Sequence, residues 1–128
     1  MRIDIADFPI INMDYSAPYA TDFREILACY DKLFAKEQPF VIIGEGESSK
    51  EEAEQAKEDR KEVAAWANQH KLQLKQWVLS SFMVIPDLQK RDSMKLYTPV
   101  FEKFWGYPFI VVASREEAYL KAIALLDI

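Results

Sequence analysis

The runs Phe40-Val41-Ile42-Ile43 and Phe109-Ile110-Val111-Val112-Ala113 are apolar at every position. A strand with one face in water alternates apolar and polar residues, so a run without a polar position needs cover on both faces. Each run leads across a short turn into a serine with a glutamate three residues on. Ser48-x-x-Glu51 and Ser49-x-x-Glu52 follow the first, beyond Gly44-Glu45-Gly46-Glu47, and Ser114-x-x-Glu117 follows the second. That pattern is a helix start. Buried strands that feed helices make βα units, and these demand a largely parallel sheet with helices laid over it.

The remaining segments complete the order. Residues 2–15 read as an extended pair, with Ile3 and Ile5 alternating with Arg2 and Asp4, and with Ile11, Met13 and Tyr15 on one face. The Ala6-Asp7-Phe8-Pro9 piece makes the turn of a hairpin. Pro9 suits the start of an edge strand, because its missing N–H breaks a central ladder. Thr21 is the expected cap of a first helix over residues 22–37, where Phe23, Ile26, Leu27, Tyr30, Leu33 and Phe34 recur at helical spacing. Gln38-Pro39 ends it. The helix that starts at Ser48 or Ser49 carries a stripe of Ala53, Ala56, Val63, Ala67, Leu74 and Trp77, reaching Gln76 with a break near 68–71. Residues 78–86 read as a strand, 87–92 as a charged loop and 93–104 as a third helix. Either the helix proper starts at Thr98 with Pro99 in its first position, or Pro99 kinks a longer element; the kinked element is preferred. Tyr119, Ala122, Ile123 and Leu126 give the last helix its apolar face. The expectation is one α/β domain over residues 1–128, ordered β(β)αβαβαβα. Its sheet is a single mixed, mostly parallel layer of four or five strands covered by helices.

Composition narrows the chemistry. Among 128 residues there are one His, one Cys and three Gly. One His cannot build a two-His metal site, and one Cys makes neither an intrachain disulfide, a CxxC pair nor a zinc ribbon. Neither a GxGxxG nor a P-loop motif occurs. With 16 Lys+Arg against 21 Asp+Glu the net charge is −5, which argues against a nucleic-acid partner. The first residues carry Asp4 and Asp7 and no long apolar run, so no signal peptide is expected. The uncharged stretch 76–86 is too short and mixed to span a bilayer. A lone Cys29 suits a reducing compartment. A cytoplasmic chain with no metal and no cofactor is expected.

The order of elements, carried by "PIINMDYSAP", "PFVIIGE", "RKEVAAWANQH", "SSFMVIPD" and "PFIVVASREEAYLKAIALL", resembles the small bacterial SpoIIAA-like proteins of the STAS superfamily (sulfate transporter and anti-sigma antagonist domains) over nearly the whole chain. The resemblance implies a sheet packed on one side by helices, and a module that binds proteins or small ligands instead of catalysing a reaction. The anti-sigma antagonist branch carries a phosphorylatable serine in an Asp-Ser-Ser-Gly-like context. The matching residues here are Glu47-Ser48-Ser49-Lys50, with Lys50 in place of the Gly.

Several groups of residues are candidates for function. Ser48 and Ser49 stand where they cap a helix, or where a phosphate would meet free backbone N–H groups. Residues 45–62 hold eight acids against four bases, and residues 71–103 lean basic, an asymmetry that suits head-to-tail or dimer contacts. Tyr97, Phe101, Phe104 and Trp105 are spaced i, i+4, i+7, i+8. They form a core stripe, an apolar lid over a pocket, or an interface patch. His70 is the one group that titrates near neutrality, but no GxSxG accompanies it, and its setting reads as helix surface near a break. Cys29 reads as a small core residue. Asp87 and Glu45 sit at the C-terminal ends of strands, where α/β sites gather, and could meet a ligand or Mg²⁺.

The expected function is therefore a non-enzymatic interaction or regulatory module. It acts on a protein partner, or on a second copy, through the aromatic third helix and the charged faces. The alternatives are a carrier or sensor of a small apolar ligand held between that helix and the sheet, and a small enzyme using the strand-end carboxylates.

Overall fold

The computed structural model describes residues 1–16 and 22–128. The N-terminal pair forms a hairpin of β1 (Arg2–Asp4) and β2 (Ile10–Asp14), antiparallel with Ile3 opposite Met13. The three-residue β1 takes the sheet edge. β2 is internal, contrary to the edge position expected from Pro9. Pro9 falls just outside the strand, so its missing N–H costs the ladder nothing, and its carbonyl accepts a hydrogen bond from Val41 N–H at 2.9 Å.

Helix α1 (Phe23–Phe34) buries Ile26, Leu27, Tyr30, Leu33 and Phe34. Asp22 caps it, its carboxylate accepting from Arg24 N–H; the expected cap, Thr21, lies outside the described residues. The helix stops short of residue 37, where Glu37 turns left-handed at φ 49°. The apolar run forms β3 (Phe40–Glu45), buried on both faces as expected. Gly44 lets Tyr15, just beyond β2, lie against the strand: a Cβ there would stand 2.6 Å from the Tyr15 ring. After β3 come α2 (Lys50–Gln69) and α3 (Lys71–Trp77), which meet at His70, inside the expected break. Strand β4 (Val78–Val84) then pairs parallel to β3.

The next segment departs from expectation. Residues 87–92 are not a loop, and of the two readings at Pro99 it is the helix starting at Thr98, not the kinked element, that forms. Asp87 accepts from Lys90 N–H at 3.1 Å and so caps a new helix, α4 (Leu88–Lys95). Pro99 then sits in the first turn of a separate α5 (Thr98–Trp105), where its missing N–H would lack a partner anyway. Gly106, left-handed at φ 86°, ends α5 and turns the chain into β5 (Phe109–Val112).

The described residues form one five-stranded sheet in the order β1-β2-β3-β4-β5, with β2 to β5 parallel. Strands that step always in one direction by crossovers of one hand put every crossover helix on one face. Accordingly α1, α2, α3 and α5 contribute to a core with Ile11, Met13, Phe40 and Ile42. The last helix, α6 (Arg115–Leu126), has no following strand and lies on the opposite face. There Ala118 and Ala122 meet Val41, Ile43, Phe82 and Val112. The helices therefore cover both faces, and the one-sided packing implied by the resemblance is not what this chain does. Tyr119, expected in the apolar face of α6, points outward; the alanines one position earlier and three later carry the contact. Cys29 is half-buried on α1, not in the core.

Candidate binding groove

Among the described residues the cover is incomplete on the face that carries α1 to α5. The expected stripe of α2 and α3 packs only at its C-terminal end, where Ala67 and Leu74 are buried and Val63 and Trp77 half-buried. Ala53 and Ala56 are exposed, and most of residues 50–62 stand clear of the sheet. An alanine stripe offers too little apolar area to hold that half-helix down. The space it leaves is a groove of about 1330 Å³, bounded by α1 and α2 on one side and by α4 and α5 on the other.

The groove has three parts. Its floor is the sheet, with Met13 from β2 and Tyr15 just beyond it, Ile42 from β3, Ser81 and Met83 from β4, and Phe109 from β5. One wall is a single face of α2, comprising Glu52, Gln55, Ala56, Asp59, Arg60 and Val63. The other wall is Met94 of α4 with Tyr97, Val100, Phe101, Phe104 and Trp105. All four methionines of the sequence, Met1, Met13, Met83 and Met94, line it. Thioether side chains are flexible and polarizable, and they suit a surface that adapts to its occupant.

The aromatic stripe is thus neither a closed core nor a free patch. Trp105 and Phe101 are half-buried. Trp105 stacks on Tyr30 with centroids 6.5 Å apart and 11° between planes, and Phe101 lies 5.4 Å from the Phe109 ring. Tyr97 is 58% exposed, Val100 59% and Phe104 36%. Glu102 ties α5 down by accepting from Phe109 N–H at 3.1 Å.

Three phenols meet at the base. Tyr30 and Tyr107 are buried and joined through their hydroxyls, and Tyr15 lies close enough to affect both. Burial pushes all three hydroxyls above the ordinary tyrosine range; Tyr30 and Tyr15 add to it at Tyr107, while at Tyr30 the charge of Tyr15 adds and the hydrogen bond with Tyr107 opposes. They stay neutral at pH 7, so the base of the groove carries polar atoms but no charge. The sequence read Tyr15 and Tyr30 only as apolar faces of their elements; nothing in their spacing says that three hydroxyls converge. The count of methionines was the one signal available, and their convergence depends on topology.

Charge gathers at the mouth. Glu47 and Lys90 pair across it at 2.5 Å, joining the β3–α2 loop to α4. Glu47 holds the Lys90 ammonium above its ordinary range, by hydrogen bond first and by charge second. Glu45 and Asp87 both line the groove, yet each has its own structural partner. Arg115 donates to Glu45 at 2.8 Å and to Asn12 at 2.6 Å, and Asp87 caps α4. Among the described residues no three His, Cys, Asp or Glu side chains stand together as a metal site.

Ser49 caps α2, accepting from Glu52 N–H at 3.1 Å, so of the two candidate serines the second is the cap, while the Glu52 carboxylate pairs with the Met1 ammonium at 3.4 Å. Ser48 is exposed beside it on the groove's edge. His70 lies away from the groove, at the α2–α3 junction. Its ring stacks on Trp66 at 4.3 Å, Nδ1 donates to the Trp66 carbonyl at 2.8 Å, and Nε2 lies 3.5 Å from Asp31. Those contacts give His70 a structural role in the helix junction.

No protein-family model matches this chain, and no curated protein or solved structure shows significant similarity to it. Among the described residues no helix is long and apolar enough to cross a membrane.

Proposed function

We propose that this chain is a non-enzymatic interaction module that takes an apolar segment of a partner protein into the groove beneath α5. The observation that carries the reading is the groove itself: about 1330 Å³, open, with one aromatic wall and all four methionines. Small-molecule sites span roughly 300–1,000 Å³ and enclose most of their ligand. This one is larger and half its aromatic wall faces solvent, as suits a site closed by a macromolecule. Exposed Tyr97, Val100 and Phe104 extend the apolar surface past the rim, and aromatic anchors of this kind dominate interface energetics. The fold-level resemblance to SpoIIAA-like modules points to the same class of activity.

A second reading, a carrier of a small apolar ligand, is favoured by one feature, the uncharged phenol base. A neutral hydroxyl donates well to a carbonyl buried among apolar groups.

The test uses Trp105, the one tryptophan that lines the groove. In a Trp66→Phe, Trp77→Phe background its emission should shift when an amphipathic helical peptide is added. Val100→Asp should abolish the shift while leaving circular dichroism unchanged. A response to long-chain alcohols but to no peptide would favour the carrier. Silence to both would remove the groove as the site.

A further inference from the structure

Resting on the reading above, we propose that the occupant is a basic amphipathic helix of about three turns, laid along the groove with its cationic flank against α2.

The α2 wall sets its length. That wall runs from Glu52 to Val63, a rise of roughly 17 Å at 1.5 Å per residue. It corresponds to about eleven helical residues.

The walls decide its conformation. Both sides of the groove are helices, and these present side chains and no free backbone edge. An extended segment would leave its own N–H and C=O groups without partners over the apolar floor. A helix satisfies them internally and needs only side-chain contacts, so the helix-in-groove mode fits.

The two walls decide its chemistry, because they differ. The α5 wall and the floor are aromatic, aliphatic and thioether. The α2 wall has no large apolar residue before Val63; it offers Glu52, Asp59 and the small Ala56. Five acids line the groove (Glu45, Glu47, Glu52, Asp59, Asp87) against Arg60, Lys90 and the Met1 ammonium, which pairs with Glu52 at 3.4 Å. The outer flank of α2 adds Glu51, Glu54 and Glu58 against Lys50, Lys57 and Lys61, and Arg24 of α1 holds Glu62 at 3.0 Å. An occupant must therefore be apolar toward α5 and the sheet and cationic toward α2. Charge complementarity of this sort sets partner choice and encounter rate more than raw affinity.

The test is calorimetric titration of the full chain with three synthetic peptides of about 15 residues. Two share one Leu/Phe stripe and differ only in polar face, Lys/Arg or Glu. The third has the basic composition scrambled so that no stripe forms. The basic amphipathic peptide should bind about tenfold tighter than the acidic one at low ionic strength, the margin shrinking as salt shortens the Debye length. Gln55→Lys with Asp59→Lys, on the free half of α2, should narrow or reverse that preference, and Val100→Asp should weaken both amphipathic peptides. Equal affinity for the basic and acidic peptides would overturn the charge assignment and leave the groove reading standing. Equal binding of the scrambled peptide would overturn the helix. Failure of all three, while a long-chain alcohol shifts Trp105 emission, would overturn the protein-segment reading and this inference together.

Discussion

The two faces of the sheet are closed by different means. On one, a single helix does the work with two alanines. Ala118 and Ala122 of α6, both fully buried, let the helix approach β3 and β4 closely enough to seal Val41, Ile43, Phe82 and Val112. On the other, five helices bring far more apolar and aromatic surface and still leave an opening. There the alanines of α2, Ala53 and Ala56, remain exposed. The same residue type seals one face and fails to seal the other. The difference lies in what stands opposite. Ala118 and Ala122 face branched and aromatic residues of strands directly beneath them, whereas Ala56 faces the open groove and Ala53 is exposed. Closure depends on complementary height across the contact, not on helix count.

The comparison breaks most readily at Phe82, which is 1% exposed beneath α6. Phe82→Ala should cost about 3–5 kcal/mol in chemical denaturation, since the close-set alanine helix cannot collapse into the cavity. A cost near 1 kcal/mol would mean that the α6 face is as loosely packed as the other. Alkaline pH gives the next largest effect, and it acts on the grooved face. Burial raises the hydroxyls of Tyr30 and Tyr107 above their ordinary value of 10.0. The fold therefore keeps protons that the unfolded chain releases. Stability is intact below pH 10 and falls as pH rises above it, by about 1 kcal/mol for each phenol between pH 10 and 11. Denaturation midpoints across that interval check it, and Tyr107→Phe should reduce the slope. A flat profile would mean that water reaches the phenols freely.

Ser49→Ala should cost about 1 kcal/mol through the lost cap of α2. The measurement also sharpens the comparison. If the free half of α2 is held by little beyond its cap, hydrogen exchange at residues 50–62 should rise well beyond the change at residues 63–69. Uniform exchange along α2 would mean that the helix is held along its whole length.

The sequence made the strands legible because burial on both faces leaves no room for polar residues. Phe40-Val41-Ile42-Ile43 and Phe109-Ile110-Val111-Val112 therefore announce themselves. Helix starts were legible where Ser49 and Ser114 had a glutamate three residues on. Asp87, whose carboxylate also caps a helix, has Lys90 at that position, so α4 read as a charged loop. The site was half legible. Tyr97, Phe101, Phe104 and Trp105 share a helical face, and they line the groove as a group. The opposite wall was not legible, because periodicity marks which residues lie on one face and says nothing of whether a neighbour reaches them. Ala53 and Ala67 occupy the same stripe; one is exposed and the other, 4% exposed, packs into the core with α1, α3 and the sheet.

The smallest expected change in stability carries the most information about function. Val100 lies in the first turn of α5, is 59% exposed and lines the groove. Val and Asp have similar helix propensity, and an acid near a helix N-terminus is favoured by the dipole. Val100→Asp should therefore leave stability within about 0.5 kcal/mol, as a surface change does. The same substitution puts a charge into the apolar wall that an occupant must cover, where an unpaired carboxylate resists burial. Binding should fall at least about tenfold while the melting curve stays in place. The matching change on the closed face, Ala122→Asp, buries a charge between α6 and the sheet and should unfold the domain. A Val100→Asp chain as unstable as Ala122→Asp would show that α5 is closed core, and the distinction between the two faces would fall with it.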